Sequence, residues 1–339
     1  MRNDTRKLFN ALAAQIATLS GVDSAFASFS VEPSVQQTLE QRIQESSDFF
    51  GRINVIGVQE LKGEKVGIGV GGTIASRTEI TGSAERQPQD VSAMDKRGYE
   101  CFKTDFDTAI PYALIDSWAK FKDFQTKLRD AIIKRQALDR LMIGFHGTSA
   151  AATTNRSTNP LLQDVNIGWL EQYRQHAADR VLKEVAASSG KVKIGDSVAV
   201  ADGYKTLDAL VYDVIQMLDP WHRANPGLVV IAGRDLVHDK YFPLVNQAQP
   251  ATEKLATDVI LTSKRLGGLP VAEVPYIPAN TLMVTALDNL SLYYQTGGRR
   301  RLLRDNPAKN RIENFESSND AYVVEDYGLG AVVENIEIV

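Results

Sequence analysis

Residues 113–145 constrain the fold more than any other stretch, because they contain no proline and no glycine before Gly144. Within them an aspartate precedes a lysine by four residues three times, and the pattern recurs every seven residues: Asp116 and Lys120, Asp123 and Lys127, Asp130 and Lys134. Pairs at this spacing stack on one face of a helix and stabilise it. We therefore predict one long spine helix, about 50 Å at the usual rise per residue and well beyond the mean length in globular proteins.

The side chains of this helix fall into two classes. Its aromatic and aliphatic residues lie on one arc and are predicted to form the buried stripe: Trp118, Phe121, Phe124, Leu128, Ala131 and Ile132. Its basic residues outnumber the four aspartates and are predicted to face water: Lys120, Lys122, Lys127, Arg129, Lys134, Arg135 and Arg140. A long amphipathic helix with charged flanks is typical of a scaffold, so we assign no chemistry to it.

The overall composition excludes several classes of function. With 339 residues, two domains are expected and a sizeable core is available. A net charge of −4 gives no electrostatic basis for binding free nucleic acid. No apolar run reaches the length that spans a bilayer, so no membrane partner is predicted. The single cysteine, Cys101, permits no intrachain disulfide and fits a reducing compartment.

Patterns that carry catalysis are missing from the sequence. The four histidines are scattered without the spacing of a zinc site, and the serine motif of the α/β-hydrolases is absent. Arg299, Arg300 and Arg301 follow a glycine turn and could meet phosphate, but a turn with basic flanks is the simpler interpretation. We predict that the chain is not an enzyme and has no metal and no cofactor.

Glycines crowd residues 63–73, where they alternate with Val66, Ile68 and Val70. This alternation predicts a two-stranded ribbon, to which residues 99–112 would return. The resulting hairpin over 61–99 has no core of its own, which is hard to justify in a monomeric enzyme. The alternative is a nucleotide-binding enzyme with a phosphate loop between Gly67 and Gly72. The dinucleotide motif, however, requires its glycines to open a helix, and no helical pattern follows them here.

The first twenty residues form a separate unit. Apolar residues at helical spacing predict a helix from Asp4 to Ser20, with Asp4 as its cap and Gly21 at its end. Polar residues interrupt the apolar core that a signal peptide needs, while a transit peptide stays possible on composition. Residues 22–30 are small and polar and predict a linker. A helix on such a tether has no evident core to join, so we expect it to need a partner.

The rest of the chain mixes helices and strands without a regular alternation. Residues 228–232 form a short apolar run of the kind found in a buried strand, and residues 206–218 predict an amphipathic helix. Strands are also predicted at 53–58 and 290–294. This mixture favours an α+β fold over a doubly wound sheet.

Several motifs together resemble one family, the major capsid proteins of peduovirus-type temperate, contractile-tailed phages. The resemblance is carried, in order along nearly the whole chain, by residues 31–35 (VEPSV), 44–49 (QESSDF), 62–70 (KGEKVGIGV), 85–88 (ERQP), 131–136 (AIIKRQ), 159–164 (NPLLQD), 239–243 (DKYFP) and 322–327 (YVVEDY). It is weakest over 11–30 and 188–204. Colinear motifs of this number are more specific than any catalytic signature considered above.

The resemblance implies a Hong Kong ninety-seven type capsid fold and a division of the chain. Residues 1–29 would be a scaffolding or propeptide segment and 30–50 an N-terminal arm. Residues 51–146 would form the peripheral domain, including an extended E-loop (59–99) and the spine helix (113–145). Residues 147–285 would form the axial domain, 286–321 a return to the peripheral domain, and 322–339 the axial tail.

The resemblance also implies function and partners. The chain would assemble with itself into hexamers and pentamers of an icosahedral shell, through an E-loop face of Val66, Ile68 and Val70. An internal scaffolding protein, a maturation protease, the portal protein and packaged double-stranded DNA would be its other partners. Assembly would take place in the bacterial host cytoplasm and end in the virion. By the same resemblance, the protease would cut between Phe29 and Ser30, where the sequence predicts small, flexible and accessible backbone.

Overall fold

The computed structural model describes residues 1–64, 68–69, 75, 77, 85–86, 93–94, 98–118, 124–245 and 264–339. The α-helices of these ranges are α1 (Asn3–Leu19), α2 (Pro33–Glu45), α3 (Tyr112–Trp118), α4 (Phe124–His146), α5 (Trp169–His176), α6 (Leu207–Gln216) and α7 (Arg234–Val245). The strands are β1 (Phe29–Ser30), β2 (Asn54–Val58), β3 (Lys62–Glu64), β4 (Ile68–Gly69), β5 (Ala93–Met94), β6 (Gly98–Glu100), β7 (Phe102–Asp105), β8 (Thr108–Pro111), β9 (Val181–Leu182), β10 (Val192–Ile194), β11 (Gly203–Tyr204), β12 (Leu228–Ala232), β13 (Arg265–Leu266), β14 (Leu269–Glu273), β15 (Leu282–Ala286), β16 (Leu290–Gln295), β17 (Arg300–Asn306), β18 (Arg311–Val324), β19 (Gly330–Val333) and β20 (Ile336–Ile338). Their irregular mixture is the predicted α+β pattern.

Two sheets dominate the architecture. The first is built on β18, to which β17, β16, β7 and β8 all pair antiparallel. β1 extends this sheet beyond β17, and β2 pairs parallel to β16. The second has the order β13-β14-β12-β15-β19-β9. β12 and β15 are buried along their whole length, which confirms the buried strand predicted at 228–232.

Two apolar cores surround these sheets, and the second sheet contributes to both. The first sheet packs with α2, α4 and α5 around Trp169, which is fully buried and lies 5.1 Å from the ring of Tyr322. A side chain at Gly144 would come within 2.3 Å of the Trp169 ring, so glycine is required where α4 meets α5. One face of the second sheet joins this core through Val229, Ile231 and Met283. Its other face packs against α6, through Leu210 and Val214.

The predicted spine helix is helical on both sides of residues 119–123. These five residues, which include Phe121, lie outside the described residues. The predicted buried stripe is wrong over the part that is described. Ala131 is exposed, Leu128 and Ile132 are half-buried, and the buried side chains are those of Ile133, Ala137 and Leu141. The reason is that α2 and α5 pack on that face of α4. Of the paired charges, Asp130 contacts its neighbour Arg129, with Nη2 and Oδ1 3.0 Å apart.

The N-terminal helix is not a tethered unit without a core. Phe9 packs with Tyr112, Ile115 and Ile312, and farther along the helix Ala13 and Ala17 pack with Phe29 and Leu303. The expectation that α1 lacks a core was wrong, because β17, β18 and α3 supply an apolar floor that the local sequence does not reveal. The helix also begins after Arg2, so Asp4 is not its cap. Its end before Gly21 is as predicted, since Gly21 has φ +63°.

Candidate functional site

The bond between Phe29 and Ser30, predicted as a cleavage site, lies in strand β1. Phe29 pairs with Arg301 and Ser30 with Arg300, in antiparallel register. Residues 26–28 are exposed, but Phe29 is only 8% exposed. The expectation of flexible, accessible backbone was therefore wrong at the bond itself, because β17 provides a strand for it to join. A protease that needs extended backbone in its own cleft could act here only after β1 separates from β17.

Just beyond this bond the chain is tied to the turn that joins β16 to β17, residues 295–299. Ser30 donates from its hydroxyl to the carbonyl of Gly297 at 2.7 Å. The amide of Val31 donates to the carbonyl of Arg299 at 2.9 Å. Gln36 on α2 is fully buried, and its side chain both donates to the carbonyl of Gln295 (2.9 Å) and accepts from the amide of Gly297 (2.8 Å).

The predicted E-loop starts at the same turn. The amide of Thr296 donates to the carbonyl of Val58 at 2.7 Å, and the Gln295 side chain donates to the carbonyl of Gln59 at 3.0 Å. Beyond this point β3 pairs with β6 and β4 with β5, both antiparallel. The predicted two-stranded hairpin is therefore present where the loop is described.

The apolar face predicted on this loop lies largely outside the described residues. Val66 and Val70 are not described, and Ile68 is described only by its backbone, which pairs with Met94. The alternative phosphate loop between Gly67 and Gly72 lies outside them as well, except for Ile68 and Gly69, which pair with Met94 and Ala93 in a strand.

A buried cluster of ionised side chains fastens α2 to the rest of the first sheet. Arg140 on α4 and Arg299 before β17 are 1% and 0% exposed. Arg299 contacts Glu40 on α2 (Nη1–Oε1 2.7 Å) and Glu316 on β18 (Nη2–Oε1 2.6 Å). Arg140 also binds Glu40, and its Nε lies 3.0 Å from Oδ2 of Asp320. Two guanidinium groups thus hold three carboxylates from two elements, α2 and β18.

The electrostatics of the cluster follow from this geometry. Burial alone would raise the pKa of Glu40, but the charges of Arg140 and Arg299 outweigh burial and hold it below the ordinary value. In the same way Arg299 and Arg301 overcome burial and lower the pKa of Glu316 to about 2. At Asp320 burial prevails over Arg140 and raises the pKa. Each carboxylate is bound by an arginine: Glu40 and Asp320 by Arg140, which is 100 and 180 residues away, and Glu316 by Arg299, which is 17 residues away.

One expectation about arginines was wrong: Arg140, predicted to face water, is buried and paired with carboxylates. Arg299, for which phosphate binding was the less favoured interpretation, is buried and paired with carboxylates as well. Sequence reasoning missed this cluster altogether. The available signal was spacing: Gln36 and Glu40 on α2, like Gln136 and Arg140 on α4, are four residues apart and so share a helical face.

Chemically reactive arrangements are not found in the part of the chain that the structure describes. It contains no group of three or more histidine, cysteine, aspartate or glutamate side chains placed to hold a metal ion. Cys101 is buried, and burial raises the pKa of its thiol to about 12, so the thiolate is disfavoured. Among the described helices, none combines the length and the apolar character needed to cross a bilayer.

Comparison with known proteins decides the family. The model of the phage major capsid proteins of the P2 family matches residues 8–336. The chain belongs to this family. It is 49% identical to the capsid protein of Escherichia phage P2 over 343 aligned positions, which cover 100% of this chain and 96% of the relative. It is 41% identical to the major capsid protein of Serratia phage KSP20, with 99% and 97% covered.

The fold of this capsid protein agrees with a solved shell. It matches a chain of the satellite phage P4 procapsid, solved with its size determination protein, with a TM-score of 0.83 and 46% identity. The match covers 100% of this chain and 99% of the other. The predicted Hong Kong ninety-seven type α+β fold is thereby confirmed. The chain is a structural component of the phage capsid rather than an enzyme, so a nucleotide-binding role for Gly67 to Gly72 is set aside.

Proposed function

We propose that this capsid protein assembles as hexamers and pentamers of an icosahedral procapsid that later encloses double-stranded DNA. The observation that carries the proposal is the end-to-end structural match to the P4 procapsid chain at 46% identity. In this proposal the shell forms in the bacterial cytoplasm, with an internal scaffolding protein, a maturation protease and a portal protein as partners. Packaged DNA is in non-specific contact with the inner surface.

The E-loop, residues 59–99, is proposed as the arm that reaches a neighbouring subunit. In its described parts β3 pairs with β6 and β4 with β5, and at its base Tyr99 packs against Tyr293 of the first sheet, with ring centroids 5.1 Å apart. Lys62 and Glu100 close its base with an ion pair of 3.1 Å between exposed side chains, which contributes little stability. Such an arm gains burial from a partner, and we propose that Val66, Ile68 and Val70 provide the apolar contact.

Assembly through this arm is tested by electron microscopy of the expressed chain. Ile68→Asp should leave a folded subunit that forms no shells, because the contacts it loses lie between chains. Val200→Asp is the matched control: Val200 is 83% exposed and also exchanges a β-branched side chain for a carboxylate. Circular dichroism shows whether each variant folds. Full-sized shells from folded Ile68→Asp subunits would contradict the proposed contact, whereas no shells from the unaltered chain with its scaffolding protein would contradict assembly itself.

Proteolytic maturation at Phe29–Ser30 is the last part of the proposal. Residues 1–29 are held by two small apolar clusters and by polar contacts such as Arg6 with Asp305 (Nη1–Oδ2 3.0 Å). From Ser30 onward the arm is also held by the turn at 295–299 and by the buried ion pairs. The buried ion pairs of Glu40 lie on the C-terminal side of this bond, so cleavage would leave them in place. Cleavage requires β1 to leave β17, and removal of the segment uncovers an apolar floor that includes Leu303 and Ile312.

A further inference from the structure

The turn at residues 295–299 receives contacts from two parts of the chain that are otherwise far apart. From the N-terminal arm, the single side chain of Gln36 occupies both the carbonyl of Gln295 and the amide of Gly297. From the start of the E-loop, the carbonyls of Val58 and Gln59 accept from Thr296 and from the Gln295 side chain. Gln295 is thus bound on its backbone by the arm and through its side chain by the loop.

The turn has little freedom to adjust to one contact without disturbing the other. Gly297 has φ +76°, a conformation that favours glycine. A side chain at Gly298 would lie 2.6 Å from Oε1 of Gln295, so the turn closes tightly over the Gln295 side chain. Oε1 of Gln295 accepts a hydrogen bond from the side-chain amide of Asn319 at 2.7 Å, and this bond fixes the Gln295 side chain to β18. Gly57 on β2 also packs closely against the turn, because a side chain at this position would lie 2.9 Å from the Thr296 hydroxyl.

We propose that the turn at 295–299 mechanically couples the N-terminal arm to the base of the E-loop. Docking of α2 fixes Gln295 and Gly297, and these fix the strand end from which the loop departs. Release of the arm removes both Gln36 hydrogen bonds and loosens the loop base. The coupling lies within one chain and stands apart from cleavage. Its use in maturation, to report the state of the N-terminus to the loop that contacts a neighbour, rests on the proposed function.

Hydrogen exchange of the full-length chain, read by mass spectrometry, tests the coupling. Gln36→Leu places an apolar side chain of similar size in the same position and removes both hydrogen bonds of Gln36 to the turn. Gln41→Leu is the control, since Gln41 is an exposed residue of the same helix, bonded only locally to Glu45. In Gln36→Leu the Gly297 amide should exchange about fivefold faster, as expected for the loss of one ordinary hydrogen bond.

The decisive amide lies at the loop base. Cys101 donates its amide to the carbonyl of Leu61 at 2.7 Å, and neither residue contacts Gln36. Coupling predicts that this amide exchanges about twofold faster or more in Gln36→Leu and is unchanged in Gln41→Leu. Faster exchange at Gly297 with no change at Cys101 would mean that Gln36 only caps the turn, and the proposal would fail.

A reciprocal variant keeps the test decisive even if Gln36→Leu does not fold. Gln295→Ala removes the side-chain contacts with Gln59 and Asn319 but keeps the backbone carbonyl that Gln36 binds. Because coupling between two sites is reciprocal, the amide of Val31, which donates to Arg299, should exchange about twofold faster or more. An unchanged Val31 amide would overturn the proposal whether or not the chain is cleaved or assembled, so its failure is distinct from failure of the proposed function.

Discussion

The sheet of β12 and β15 and the base of the N-terminal arm are both buried, but they are buried by opposite means. β12 and β15 present apolar side chains almost throughout, and their stabilisation grows with apolar area and needs no particular orientation. The buried face of α2 consists instead of Gln36, Glu40 and Ile43. A buried amide or carboxylate is tolerated only when its hydrogen bonds are made. The second sheet is therefore stabilised by the apolar area that it buries, and the base of the arm by hydrogen bonds and ion pairs of one specific geometry.

The stability of these two regions should respond differently to substitution. An apolar sheet retains much of its stability when its side chains are repacked. A polar junction loses much of its stabilisation once a partner is missing, because the remaining charges are left buried and unpaired. We call the polar contacts between α2 and the first sheet the junction; its residues are Gln36, Glu40, Arg140, Arg299, Glu316 and Asp320. We infer that the second sheet stabilises the fold through its buried apolar area and that the junction gives the arm one unique docked position. Substitutions in the two regions should therefore lower the free energy of unfolding by different amounts.

The largest effect is expected when the junction loses a charge. Arg140→Ala would leave Glu40 and Asp320 buried without this cation, and should lower the free energy of unfolding by about 3–5 kcal/mol. Arg135→Ala on the same helix removes an exposed arginine paired with Asp139, and should cost less than about 1 kcal/mol. Urea denaturation of both variants measures the difference. Equal losses would show that the buried cluster is not what holds the arm.

In the second sheet, a cavity should be costly but a conservative change should not. Leu282→Ala on β15 should cost about 2–5 kcal/mol, whereas Leu282→Met, which conserves volume, should cost less than about 1.5 kcal/mol. At the junction the conservative change stays damaging: Arg140→Lys should cost about 1.5–3 kcal/mol, because lysine lacks the fork that binds two carboxylates. A harmless Arg140→Lys in the same denaturation series would erase the contrast between the regions.

Acid should weaken the junction through Glu316. Its folded pKa of about 2 lies below the ordinary value of 4.5, so its stabilisation is present above the ordinary pKa and is lost as the pH falls toward 2. This carboxylate alone accounts for up to about 3 kcal/mol over that window. Asp320, whose pKa is raised by burial, acts in the opposite direction and reduces the net change. Unfolding free energies between pH 5 and 2 should therefore fall less steeply in Glu316→Gln than in the unaltered chain, and parallel curves would contradict this role.

The smallest effects belong to the spine helix, where they check its corrected orientation. Ile133→Val removes one buried methyl group and should cost about 0.5–1.5 kcal/mol. Lys127→Ala changes an exposed side chain and should stay within about 0.5 kcal/mol. If thermal or urea unfolding ranked the lysine variant as the more damaging, the faces of α4 would be assigned the wrong way round.

Local patterns in the sequence predicted much of the secondary structure and little of the junction. The apolar run at 228–232 and the glycine that ends α1 are local signals, and both are confirmed. Glu40 and Arg140, in contrast, are 100 residues apart. A charged residue looks the same in sequence whether it faces water or a distant partner. Phe29 lies in the predicted linker although it is buried, because its burial depends on the pairing of β1 with β17 and not on its sequence neighbours.

The most direct test of the account is the intact mass of the chain in purified, DNA-filled particles. The arm is fixed by hydrogen bonds of Ser30 and Val31 and by the buried ion pairs of Glu40, and all of these lie after the predicted cleavage bond. We predict that mature particles carry chains that start at Ser30 or within a few residues of it, while immature shells keep residue 1 or 2. A full-length chain in DNA-filled particles would contradict the proposal that residues 1–29 are a temporary segment.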